Sequence, residues 1–488
     1  MPVAPVDPLA AWAAARPDAP SVIDGTTVTT RAALNARVNR LANGLVAAGL
    51  RAGDRAVWCG PNSTDVVVAM HACRKAGLVA VPLCHRFTAE ESRHVLTDSG
   101  AAVALVDPAH ASIVPDVCPV VTFDTAPAGS ADEPPVVAGA GRAMLYTSGT
   151  TGRPKGAIRG PADPALREAM IAALDFGAAE VHLVTGPLYH AGPHAFALLA
   201  QLTGGTLVVS RSFDPAEWVR LVAEHRVTSA FMAPVHLKRI VGLPDEVLAG
   251  ADFSSLRSLI VNAAPVPYAL KQEVIAKLGA GFLYEVYGST ELGIATVLGP
   301  EDQLRKPASC GRPYGDVGIK VVGDDGVEVP AGHAGEVFVR TTQAFEGYHG
   351  GAATIAELPG GWRSVGDVGW VDAGGYLHIC DRRTDMVITG GMNVYPAEVE
   401  AVLHAHPGVA DAAVFGVPDE DWGERVHAVV SARPGQVLDA SSLAAFAARR
   451  LAGFKRPRSW DVRAELPRTE SGKLLKRVLR DELTGARS

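Results

Sequence analysis

Residues 143–158 read AMLYTSGTTGRPKGAI. An apolar run enters this stretch and another leaves it. Between them lie the hydroxyls of Thr147, Ser148, Thr150 and Thr151, three glycines, and the cations Arg153 and Lys155. Gly149 and Gly152 would let backbone amides approach an anion without a side chain in the way. Lys155 adds a point charge. An ordinary surface turn needs only one or two such residues, so the stretch is expected to hold phosphate. It is not a Walker loop, because Lys155 follows Pro154 and precedes Gly156, where that pattern needs GxxxxGK and then Ser or Thr.

Working outward, short apolar runs alternate with helical patterns on both sides. Leu34, Val38, Leu41, Leu45 and Val46 recur at helical spacing. RAVWCG, LVAVPL, AAVALVD, EVHLVTG, TLVVS and SLIVNAAP read as buried strands, with helices expected near 64–76, 88–98 and 215–225. That alternation predicts parallel sheets covered by helices. After residue 315 the pattern changes. GIKVVGDDGVEVPAGHAGEVFVR reads as three antiparallel strands, and GWVDAGGYLHICD as a hairpin. From 387 onward, helices near 396–405 and 441–451 with strands ADAAVFGV and HAVVSA predict a small α+β domain.

Bulk properties narrow the class. The chain has 488 residues, is 48% hydrophobic and 20% charged, and carries a net charge of −7, with no basic patch of the kind nucleic-acid binders show. The stretch 66–83 is broken by His71, Arg74 and Lys75 and does not read as a membrane span. The first twenty residues lack a secretory pattern. The six cysteines have no metal spacing and are expected as reduced thiols, so a cytoplasmic location is expected.

The loop TSGTTGRPKG resembles the signature of the AMP-forming adenylating superfamily: acyl-CoA synthetases, peptide-synthetase adenylation domains and beetle luciferases. EVYGSTE at 285–291, GWRSVGDVG at 361–369, DRRTDMVITGGMNVYPAEVE at 381–400 and LPRTESGKLLKR at 466–477 resemble that family's further motifs, in the same order. The resemblance implies an α/β fold: a large N-terminal domain (1–381) of two doubly wound parallel sheets plus a small β-barrel, a hinge (382–386), and a mobile α+β C-terminal domain (387–488).

It also implies roles. Thr147, Ser148, Gly149, Thr150, Thr151, Gly152 and Lys155 would hold phosphates, and Thr290 the α-phosphate. Glu291 would bind Mg²⁺. Asn262, Ala263, Ala264, Tyr287 and Gly288 would surround adenine, and Asp367 and Arg382 the ribose. Lys473 would be the adenylation lysine. His190 would gate the acyl pocket. Thr389, Gly390, Gly391 and Met392 would line the path of coenzyme A, with Phe454, Lys455, Arg456 and Arg458 as candidates for its phosphates. Gly192, Pro193, Phe196, Ala197, Phe231, Met232, Val235, Ala263, Ala264, Gly288, Gly293 and Ile294 would form an open apolar acyl pocket without a buried cation. The implied activity is ATP-dependent adenylation of a hydrophobic acid, such as a fatty, steroid-like or aromatic one, and its transfer to coenzyme A. Alternatives are a single half-reaction, or loading of a separate carrier protein. A homodimer is left open. At the hinge, Thr384 stands where relatives often carry Asp or Lys.

Overall fold

The structure is a computed structural model that describes residues 6–137, 141–147, 154–161, 163–177, 180–351, 354–382, 385–469 and 474–484. Two sheets dominate the first three hundred residues. In one, strands Val79–Leu83, Arg55–Cys59, Val103–Val106 and Val120–Thr122 run parallel, and Ala143–Thr147 joins them beside Val79–Leu83. In the other, Leu283–Ser289, Ser258–Val261, Ser229–Met232, Val181–Val184, Thr206–Val209 and Pro20–Asp24 run parallel, with antiparallel strands at both edges.

Both faces of each sheet are covered, which is why the strands read as unbroken apolar runs. Ala56 and Trp58 enter a central core that also takes Leu207, Phe231, Ile260 and Val286 from the second sheet. Helices Arg31–Ala47, Thr64–Lys75 and Ala191–Leu202 fill this shared layer. The alternate residues Val57 and Cys59 face a separate cluster with helix Ala89–Ser99. Leu183, Ala230 and Leu259 pack under helices Pro215–His225, Pro234–Val241 and Tyr268–Leu278.

The small antiparallel unit is a six-stranded sheet. Its central strand, Gly335–Arg340, contacts three others: Gly318–Val322, Trp362–Ser364 and Asp367–Val371. The expected middle strand at VEVP does not form. Gly323 N–H bonds Val327 O to close a turn, and only an isolated bridge links Val322 to Glu328. Pro330 ends the run and cannot donate to a ladder.

The last strand of this sheet ends at Arg382, and the first of the fourth sheet begins at Val387. There a long hairpin, Val409–Asp419 with Gly423–Ala432, carries helices Pro396–His404 and Ala440–Ala448 on one face and Lys476–Thr484 on the other. The second helix is shorter than expected, ending at Ala448. Lys238 Nζ bonds Ala410 O and Glu273 faces Arg433 at 3.7 Å, tying the two helices that carry Lys238 and Glu273 to this unit. Among the described residues, no cysteine is part of a disulfide. Among the described residues, no helix is long and apolar enough to cross a membrane.

Candidate active site

The phosphate-loop stretch is flanked by two strands that pair with each other. Ala143–Thr147 pairs antiparallel with Lys155–Arg159, with Thr147 directly opposite Lys155. Ser148, Gly149, Thr150, Thr151 and Gly152 lie outside the described residues, as do Thr384 and Lys473. Thr147 and Lys155 are thus fixed by the ladder, and Lys155 starts the second strand. Strand Gly347–Tyr348 adds to the far side of that strand and brings Tyr348 beside Lys155, whose Nζ lies 5.8 Å from the ring centroid.

Tyr348 O–H donates to Glu291 Oε1 at 2.7 Å. Burial and the Glu291 carboxylate push its phenol above the ordinary range, so it stays a donor. Glu291 sits in the turn between strands Leu283–Ser289 and Gly293–Leu298. Arg159 holds this turn from below. Its guanidinium donates to Thr290 O at 2.5 Å and to Gln343 O at 2.9 Å. Tyr348 and Arg159 were missed by the sequence reading. One is a lone tyrosine in GYHG, the other an arginine directly after the strand's apolar pair, and neither belongs to a spaced motif.

On the same strand as the Glu291 turn, Tyr287 O–H donates to Asp367 Oδ2 at 2.6 Å. Arg382 Nε donates to Asp367 Oδ1 at 3.3 Å. Asp367 and Arg382 are cross-strand partners in the antiparallel sheet, so the ladder itself puts them together. Asp367 is buried. Burial and Asp367 raise the Tyr287 phenol well above its usual value. Burial opposes the Arg382 charge, but Asp367, Asp385 and Glu291 outweigh it and hold the guanidinium protonated. Each Asp367 oxygen still has a lone pair for a further donor.

Asn262, Ala263 and Ala264 follow strand Ser258–Val261 at its carboxyl end, beside Leu283–Ser289. Asn262 Oδ1 accepts from Ala263 N–H at 2.5 Å, and Ala263 has φ +77°. Gly288 is pressed against the return strand: a Cβ there would lie 2.1 Å from Gly293 O.

His190 precedes helix Ala191–Leu202 and packs against Tyr189, with ring centroids 4.6 Å apart. Burial lowers its imidazole to about 4, so it is neutral near pH 7. The open acyl pocket is corrected by the structure. Phe196, Ala197 and Met232 are core residues, and Phe231 stacks on Phe196 with centroids 5.1 Å apart. The Phe231 ring lies over Gly192, where a Cβ would meet it at 2.3 Å. The small residues were read as empty space, but Phe231 fills the space that Gly192 leaves.

On the C-terminal unit, Gly390 and Gly391 form a two-residue hairpin turn with φ +57° and +77°, a turn type that requires positive φ at both positions. A Cβ on Gly390 would meet Trp422 at 2.5 Å, and Arg458 covers that indole, with its Cζ 4.1 Å from the ring centroid. Two of the cations expected near coenzyme A's phosphates are engaged elsewhere. Lys455 pairs with Glu398 at 2.7 Å, and Arg456 donates to the carbonyls of Leu451 and Ala448.

Comparison with known proteins identifies the family. The family model described as AMP-binding enzyme matches residues 9–349, and that described as AMP-binding enzyme C-terminal domain matches 398–473. The chain is 40% identical to a feruloyl-CoA synthase of an Amycolatopsis species, over 95% of this chain and 96% of that protein. It is 36% identical to the fatty acid–[acyl-carrier-protein] ligase ScoC of Streptomyces coeruleorubidus, over 96% and 94%. The o-succinylbenzoate CoA synthetase of Bacillus subtilis, solved with its acyl-adenylate intermediate, superposes with a TM-score of 0.86 at 29% identity, covering 99% of this chain and 98% of that one. The chain belongs to the AMP-binding enzyme family and is an adenylate-forming enzyme of the acid–thiol ligase class.

Proposed function

We propose that the chain is an ATP-dependent acyl-CoA ligase that adenylates a hydrophobic carboxylic acid and passes the acyl group to coenzyme A. The observation that carries this reading is the assembly of Tyr287, Asp367 and Arg382 next to Thr290 and Glu291.

In this reading the acid's carboxylate oxygen attacks the α-phosphorus of ATP and pyrophosphate leaves. The thiol of coenzyme A then attacks the acyl carbon and AMP leaves. A carboxylate is a poor acyl donor because its leaving group is oxide; the adenylate supplies a stabilised one. The protein's part is to position the reactants and neutralise phosphoryl charge. Asp367 accepts from ribose hydroxyls with the lone pairs that Tyr287 and Arg382 leave free. Thr147 to Lys155 hold the terminal phosphates and Thr290 the α-phosphate. Lys473 donates to the oxygens that gain charge in the adenylation step.

Glu291 and Thr290 together offer a carboxylate and a hydroxyl, oxygen donors suited to Mg²⁺. Among the described residues, no group of three His, Cys, Asp or Glu side chains could hold an ion by itself. A cation at Glu291 would therefore share its ligands with the nucleotide's phosphates, where it would neutralise their charge.

Phe231 over Gly192 and a neutral His190 support an acid that is apolar near its carboxyl group. The feruloyl-CoA synthase relative supports an aromatic acid as the first to try. The ScoC relative favours a carrier protein as the alternative thiol. The domains are proposed as 1–381 and 387–488 about a hinge at 382–386. The test is product analysis with ATP, Mg²⁺, coenzyme A and a panel of aromatic and aliphatic acids. Equal amounts of AMP and acyl-CoA are expected. An acyl-AMP that accumulates and is taken only by a carrier protein would replace coenzyme A in this reading.

A further inference from the structure

Beneath the Asn262–Pro267 segment lies a buried ion pair that the chemistry above does not use. Lys271, on the first turn of helix Tyr268–Leu278, is 1% exposed, and its Nζ contacts Glu285 Oε2. Glu285, on strand Leu283–Ser289, is 7% exposed and is the register partner of Val261, the last residue before the segment. Its other oxygen, Oε1, accepts from Val266 N–H at 3.4 Å, near the segment's far end. The carboxylate thus touches the segment at its exit, stands beside its entry, and is tied to the helix that follows.

Two charges in an apolar setting are a costly way to fill space, since apolar residues of like volume often do as well. The segment above supplies a reason. Ala263 holds φ +77° without being glycine, and such a conformation persists only where its surroundings over-determine it. The segment's interior is exposed at Ala263 and Pro265, so little packing holds it from outside. Its fixed points are Val261 and Val266, both buried, and both meet Glu285.

We infer that Glu285 and Lys271 are positioning residues that clamp the Asn262–Ala264 segment in the shape that discriminates the base of the nucleotide. This rests on the proposed placement of adenine at that segment. The clamp acts on base selection and nucleotide affinity, and leaves the acid site alone.

The test uses the full-length protein in ATP–pyrophosphate exchange, with ATP and GTP as competing probes. Glu285→Gln keeps an acceptor for Val266 but leaves Lys271 unpaired. The double variant Lys271→Met/Glu285→Leu removes both charges in a form that a core accepts, and guards against a fold failure. For the folded variants, an increase of about tenfold in KM for ATP and a comparable collapse of the ATP-over-GTP preference are expected, with KM for the acid within about twofold of the parent. Lys271→Arg, which keeps the charge, should retain most of the preference. A folded double variant with undiminished base preference overturns the clamp. Asn262→Ala with unchanged KM for ATP overturns the adenine placement itself, and the clamp with it; the two failures are told apart by which variant is silent.

Discussion

The ribose-side cluster and the Gly390 hairpin are built in opposite ways. Tyr287, Asp367 and Arg382 come from two different sheets and are joined by hydrogen bonds to the buried Asp367 carboxylate. Gly390 and Gly391 sit on an exposed turn whose shape is set by two positive φ angles and one indole. The first is preorganised by strand pairing, which sets Asp367 directly opposite Arg382. The second is shaped locally and depends on where the small domain places it. That difference fits an enzyme whose first half-reaction needs a fixed nucleotide site and whose second needs a movable one.

Substitutions in the two regions are expected to have different effects. The largest effect is expected from Lys473→Ala, which should cut acid-dependent pyrophosphate exchange by ~10²–10³-fold while thioester formation from supplied acyl-AMP falls far less. Equal losses in both assays would remove its assigned role. Asp367→Ala leaves the Tyr287 hydroxyl and the Arg382 charge without their partner. A loss of about 10²-fold in kcat/KM for ATP is expected, since hydrogen bonds to charged groups are the strong ones. An unchanged kcat/KM would detach Asp367 from the nucleotide. Tyr348→Phe removes the donor to Glu291 Oε1. It should cost about tenfold in exchange and raise the Mg²⁺ concentration needed for half-activity; parent-like Mg²⁺ dependence would place Tyr348 outside the phosphate end.

A separate effect is on stability. His71 and His182 are pushed down to about 3 by burial, and His194 to about 4. Their folded values lie below the ordinary one of about 6.5, so the unfolded chain binds more protons in between. Stability is therefore expected to fall as pH drops from about 6.5 towards 4, by up to about 1.4 kcal/mol per pH unit for each histidine. Thermal melts at stepped pH should show that slope reduced when His182 is replaced by Phe. A flat profile would contradict their burial as neutral groups.

The layered fold was legible because buried parallel strands announce themselves as apolar runs, as at RAVWCG and LVAVPL. Gly390 and Gly391 were expected only along the path of coenzyme A; that they form a two-residue turn is seen in their positive φ angles. What stayed hidden was lateral. Nothing in the residues alone joins Tyr287 to Asp367, eighty positions apart; only the family resemblance placed both at the nucleotide. Nothing marked Tyr348 or Arg159, which act through strand pairing rather than through a spaced motif. Phe231 over Gly192 was read as open space because a sequence shows size and not direction.

The most direct measurement runs pyrophosphate exchange without coenzyme A, then thioester formation with it, on the parent, Asp367→Ala and Gly390→Ala side by side. The account predicts that Asp367→Ala loses both reactions, while Gly390→Ala, strained at φ +57° and pressed against Trp422, keeps exchange and loses thioester formation. If Gly390→Ala lost exchange as severely as Asp367→Ala, the division of labour between a fixed nucleotide site and a separately placed thiol path would be contradicted.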